Sequence, residues 1–154
     1  MKIRITKGKI KNTLVCARED GSSTSMDLGP SFPHHDIAHF VVESKFHLKN
    51  GFYGKIKSGM TIVELSDKTV IDKLDGEAWL AEILARNLQA ISSKGATINQ
   101  YIDLIKWEVE NLKYQINIPK MTLEDVLEIK ITFDKLCLEW DLLLENETLV
   151  LEFQ

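Results

Sequence analysis

All four histidines of the 154-residue chain fall between Pro33 and His47. If that segment is helical, His35 and His39 lie one turn apart on one face. Their Cβ atoms are then roughly 6 Å apart, close enough for two imidazoles to converge on one cation. Asp36 adjoins the first of them and Glu43 lies one turn beyond the second. Ile37, Ala38, Phe40, Val41 and Val42 fill the positions between. A polar stripe of His35, Asp36, His39 and Glu43 therefore runs along an otherwise apolar helix. Buried polar groups require partners, and the candidates are each other, a neighbouring helix or a cation.

Three readings of the stripe follow. In the first, His35 and His39 are metal ligands. With one carboxylate they suit zinc, iron or manganese and leave a position open for water. Asp36 or Glu43 then serves as a base or as a partner that orients a ligand. Helical rise puts the Cβ of Glu43 about 12 Å from that of His35, so Glu43 pairs with His39, Lys45 or His47 rather than joining the same ion. The third ligand must come from another element, where Glu77 and Glu82 are the acids at hand. In the second reading, the same residues do acid/base chemistry without metal. In the third, His34 and His35 open the helix, Asp36 sits in its first turn where the helix dipole favours negative charge, and His39 and Glu43 form an i,i+4 hydrogen-bonded pair.

The spacing His35-Asp36-x-x-His39 matches the zincin pattern H-E-x-x-H with aspartate for glutamate, one methylene shorter as a base. It is also similar to the zinc-associated H-D-x-x-H helix motif of the ubiquinone-biosynthesis assembly proteins. That motif places a further glutamate where this chain has Gly51. Over nearly its whole length the chain resembles a group of small uncharacterised bacterial proteins. The matching pieces are Arg18-Glu19-Asp20-Gly21-Ser22, Pro33 to Glu43 (Pro-x-His-Asp-x-x-His-x-x-Val-Glu), Gly51-Phe52-Tyr53-Gly54, Trp140-Asp141 and Thr148 to Phe153. That resemblance implies element boundaries and no activity.

Composition narrows the field. Apolar residues make up 44% and charged residues 27%, the balance of a globular domain, and the length fits one domain over 1–154. The net charge of −4 argues against a nucleic-acid binder that must neutralise many phosphates. No apolar run approaches the roughly 20 residues that span a bilayer, and the lysine-rich start has no apolar signal core. The expected location is cytoplasmic. Cys16 and Cys137 belong to no CxxC pair and read as core thiols. Gly51 to Lys55 lacks a phosphate loop's glycine spacing and reads as a structural turn.

The elements that must hold the stripe are α+β: a small antiparallel sheet, built from N-terminal strands and the C-terminal strand, against about four helices. Lys2 to Thr6, Thr13 to Ala17, Ser22 to Met26 and Thr148 to Phe153 alternate as strands, and Asp20-Gly21 signals a hairpin. Residues 1–18 carry six bases and no acid, whereas 121–154 carry nine acids and two lysines, which places the two terminal strands side by side. Helices are expected from Pro33 to Phe46, from Asp75 to near Gly95, from Ile98 to Leu112 and from the capping box Thr122/Asp125 onward. Ile129, Ile131 and Phe133 also alternate as a strand would, and the helix is preferred. Gly51, Gly54 and Gly59 mark an irregular loop, and Trp79, Trp107 and Trp140 are expected to fill the core.

Two functional classes follow. One is a metal-binding protein of the hydrolase or lyase kind, with His35 and His39 on a divalent ion and Asp36 or Glu43 as base. The other is a non-catalytic interaction protein, such as an immunity or accessory factor, whose acidic C-terminal helix faces a basic protein partner.

Overall fold

Alternating side chains make a sheet with one buried and one open face. In the computed structural model, β1 (Lys2–Thr6), β2 (Asn12–Ala17), β3 (Ser23–Leu28) and β4 (Thr148–Glu152) form a fully antiparallel sheet in the order β3-β2-β1-β4. The structure describes residues 1–29, 32–71, 75–112 and 115–154, with all of their side chains except those at 32, 68 and 71. Ile3 faces Cys16 and Leu151 across the ladders, and Ile5 faces Leu14 and Leu149. All six are buried. The terminal strands are neighbours, as their charges imply: Lys2 opposes Glu152, although Arg4 opposes Val150 rather than an acid. Gly21, at φ 85, supplies the left-handed residue that the β2–β3 turn requires.

Helix α1 (Phe32–Phe46) follows the sheet. The glycine-marked stretch then departs from the sequence expectation, because it forms short helices α2 (Phe52–Lys57), α3 (Ile62–Leu65) and α4 (Lys68–Ile71) instead of an irregular loop. Gly54 lies inside α2 for a packing reason: a Cβ there would come 2.3 Å from the Lys49 carbonyl oxygen. Helices α5 (Gly76–Ser92), α6 (Ile98–Glu110) and α7 (Leu123–Leu142) complete the chain. A single buried cluster joins the inner sheet face to α1, α5, α6 and α7. On α7 the Thr122/Asp125 capping box forms, and Ile129, Phe133 and Trp140 turn inward while Ile131 points out. Helical period, not strand alternation, governs that segment.

Long-range polar contacts fix the layers. Lys7 donates from Nζ to the carbonyls of Trp140, Asp141 and Leu143 at 3.0–3.1 Å, closing the C-terminal end of α7, where cations are favoured. Arg18 donates to Ile56 O and Met60 O at 2.6 Å and ties the end of α2 to β2. Trp140 is buried as expected, but Trp107 is 64% exposed and fills no core. Cys16 is buried and Cys137 half-buried, both unpaired. No helix among the described residues is long and apolar enough to cross a membrane.

Removing residues 148–154 would strip Leu149, Leu151 and Phe153 from the core and open the β1 edge. The expected cost is at least about 5 kcal/mol, since a single large-to-small change in a core costs about 2–5. Urea denaturation of the truncated chain checks this, and an unchanged midpoint would refute it.

Candidate metal centre

The histidines of the α1 stripe reach α5, whereas Glu43 reaches the start of α2. Glu43 is the most buried, at 0% exposure. Its Oε2 accepts the backbone N–H groups of Tyr53 and Gly54 at 2.9 and 3.2 Å. Its Oε1 accepts from His39 Nδ1 at 3.0 Å. Glu43 therefore occupies the space above Gly51, where a Cβ would fall 2.4–2.8 Å from its carboxyl atoms. No glutamate could stand at position 51 without displacing the one at 43.

His39 is 5% exposed and reaches past Glu43 with its second nitrogen. Nε2 lies 3.1 Å from Glu82 Oε2, on α5. His35 repeats the arrangement one turn earlier. Its Nδ1 is 2.9 Å from Gln89 Oε1 and its Nε2 is 3.3 Å from the same Glu82 oxygen. The two rings stand edge to face at a centroid distance of 4.8 Å.

Glu43 and Gln89 each present an oxygen to an Nδ1, so each Nδ1 carries the proton and donates it. In a neutral ring the Nε2 then bears a lone pair, and both lone pairs aim at an oxygen of Glu82. Three electron-rich atoms cannot share that spot unless a cation stands between them. That cation is either a pair of protons or a metal ion. Metal-bound histidines characteristically donate their other ring N–H to a carboxylate or amide oxygen, and Glu43 and Gln89 stand where they could accept such bonds. One ligand atom from each of His35, His39 and Glu82 falls within 4.8 Å of the others, against about 3.3 Å between ligands around a tetrahedral zinc ion.

Without metal, protons do the work. Burial alone would lower the pKa of His39, but its bonds to Glu43 and Glu82 reverse that and hold it at about 9. The bond to Glu82 likewise raises His35. Those same two histidines hold Glu82 far below the usual carboxylate range. Asp36 is different: burial pushes it up to about 6 against the pull of both histidines, and its Oδ2 has no hydrogen-bond partner.

The site opens on a cavity of about 630 Å³ lined by His35, Asp36, His39 and Glu82 at one end. Leu14, Leu28, Ile62, Leu65 and Trp79 are among its apolar walls.

Of the residues that sequence singled out, the structure brings His35, Asp36 and His39 to one cavity and places Glu43 behind His39, away from the cavity wall. Of the two acids offered as a third ligand, Glu82 meets both histidines. Glu77 instead accepts from the Asn50 backbone and side chain. Asp36 lies past the first turn of α1, which holds no acid, so a helix-dipole role is not its place. His34 pairs with Asp141 at 3.0 Å. Gln89 was missed, although it stands seven residues after Glu82 and so on the same face of α5, which is the signal that could have found it. Neither a known protein family, a curated protein nor a solved structure matches the chain.

Two outcomes are expected. A histidine whose native pKa lies above its unfolded value stabilises fully below the unfolded value, near 6.5, and that contribution fades as pH rises through the native one. His39 therefore makes the metal-free protein lose stability from about pH 6.5 to about 9. Asp36, held near 6 instead of 3.8, adds a loss between those values. Urea midpoints across this range measure the effect, and a flat profile above pH 6.5 would show that Nε2 of His39 holds no shared proton. Secondly, Gly51→Ala should cost about 1–3 kcal/mol through overpacking against Glu43, and calorimetry of the variant would expose the error if its melting temperature matched the parent's.

Proposed function

We propose that this chain is a metal-binding protein in which His35, His39 and Glu82 hold one divalent zinc, iron or manganese ion, and that the ion serves hydrolysis of a small, largely apolar substrate in the adjoining cavity. The observation that carries the reading is the convergence of two Nε2 atoms on one carboxylate oxygen, with both Nδ1 atoms already facing an oxygen acceptor. Three protein ligands leave coordination positions open, as catalytic sites require. A metal ion in such a site supplies Lewis acidity and an activated water at neutral pH. Glu43 and Gln89 fix the ring orientations. Asp36 keeps a free oxygen at the cavity wall, able to take up a proton there. The apolar walls bind the substrate and exclude bulk water.

A second reading, a non-catalytic interaction protein, is favoured by one observation, the exposed apolar face of α7. Metal content separates the two. Protein purified without chelator should carry about one equivalent of metal. Glu82→Gln should lose most of it, although that residue lies outside the H-D-x-x-H helix. Affinity should rise with pH as the metal displaces ring protons. Sub-stoichiometric metal, with no thermal shift on adding zinc, iron or manganese salts, would end the metal reading.

A further inference from the structure

The core-facing side of α7 is Val126, Ile129, Phe133 and Trp140. Its other side is apolar as well. Leu123, Leu127, Ile131, Leu138 and Leu142 are 46–72% exposed, and at 100° per residue they fall within an arc of about 100°. A helix with two apolar faces normally lies between two layers, and among the described residues only one layer covers α7. The stripe is about 30 Å long, and apolar patches of a few hundred Å² on a monomer are often functional.

The spacing indicates what covers it. Leu123 and Leu142 are equally distant from the midpoint between Thr132 and Phe133, and so are Leu127 and Leu138. A surface that is its own complement under a two-fold rotation needs that symmetry. We infer that a second copy of this chain packs on α7, the two helices antiparallel, with the two-fold axis passing near Thr132 and Phe133. Leu123 then meets the partner's Leu142, and Leu127 meets the partner's Leu138.

The flanking charges contribute little to that register, because within each copy Glu128 is already held by Lys45 and Asp134 by Lys130. Exposed Lys135 comes beside the partner's Glu128, and Lys130 beside the partner's Asp134. Asp134, which falls near the middle of the seam, is already satisfied by Lys130 at 2.5 Å and by Ser92 at 2.5 Å. Glu124 and the partner's Glu139 are like charges and weaken the contact. An interface of this length buries on the order of 1,000 Å² in total, the lower end for a specific complex. A reversible dimer is the consequence, and it does not depend on the metal reading.

Sedimentation equilibrium over about 1 to 300 μM should show the mass rising from one copy to two, with a dissociation constant of order 10 μM. Leu127→Glu combined with Leu138→Glu changes only exposed positions. It should leave the melting temperature unchanged and weaken dimerisation at least tenfold. In a Cys137→Ser background, mixed Leu127→Cys and Leu138→Cys proteins should oxidise to a crosslinked pair faster than either protein alone. A wild type that stays monomeric throughout overturns the inference, as does a dimer that survives the double substitution or a Leu127→Cys protein that crosslinks best to itself. A monomer that instead binds an amphipathic helical peptide of leucine and lysine would assign the face to a basic partner and overturn self-pairing.

Discussion

A carboxyl group with no access to water dictates much of this structure. Glu43 is enclosed on all sides, and leaving it unpartnered would cost several kcal/mol. It is satisfied by three donors from two elements, two backbone N–H groups at the start of α2 and the Nδ1–H of His39 on its own helix. The position of α2 follows from that demand. Arg18 grips the other end of α2, and Lys55 on α2 meets Asp75, the residue that caps α5, at 2.7 Å. The sheet, α2 and the start of α5 are thus referred to one buried group.

The same contact sets the chemistry. Because Glu43 takes the Nδ1 proton of His39, the ring cannot flip or change tautomer without leaving a buried acceptor unpaired. Nε2 is then committed to α5, where Glu82 waits. His35 is anchored in parallel by Gln89, but nearer the surface, at 31% side-chain exposure against 7% for His39. The inner half of the site is enclosed, and the outer half is partly exposed to solvent. A metal would enter from the His35 and Glu82 side and be gripped at the His39 side. Proton and metal would compete for one position, so under the proposed function the site's charge state and its occupancy would be a single equilibrium.

What could be read from sequence was whatever repeats or stands next to its partner. Strand alternation, the capping box at Thr122 and the apolar stripes of α5, α6 and α7 are periodic signals, and each placed its element. The polar stripe of α1 was legible for the same reason, since His35, His39 and Glu43 recur at helical spacing. Non-local dependence hid the rest. Gly51 and Gly54 read as loop because glycine usually breaks helices. Their actual causes are Glu43, eight residues before Gly51, and the Lys49 carbonyl. Glu82 could be offered only beside Glu77, because the choice between them depends on how α5 rotates against α1. Trp107 shows the same limit from the other side: a large aromatic on an amphipathic helix was placed in the core, and packing left it outside.

Buried polar atoms without partners are rare in native structures, and where they persist they tend to mark sites that do something. Among the described residues four buried side-chain atoms lack a partner: Asp36 Oδ2, Ser44 Oγ, Tyr53 OH and Trp79 Nε1. Asp36 and Trp79 line the cavity. Tyr53, near enough to Asp36 to feel its charge, donates its backbone N–H to Glu43. Two of the four thus lie on the cavity that holds the histidine cluster and a third lies near Asp36, while Ser44 stands apart from the cavity lining. A helix used only for packing would gain stability by replacing Asp36 with an apolar residue, since burial already raises its pKa to about 6. Its presence beside two histidines and a shared carboxylate carries a cost that packing alone does not explain and that a role in holding a proton at the cavity wall would.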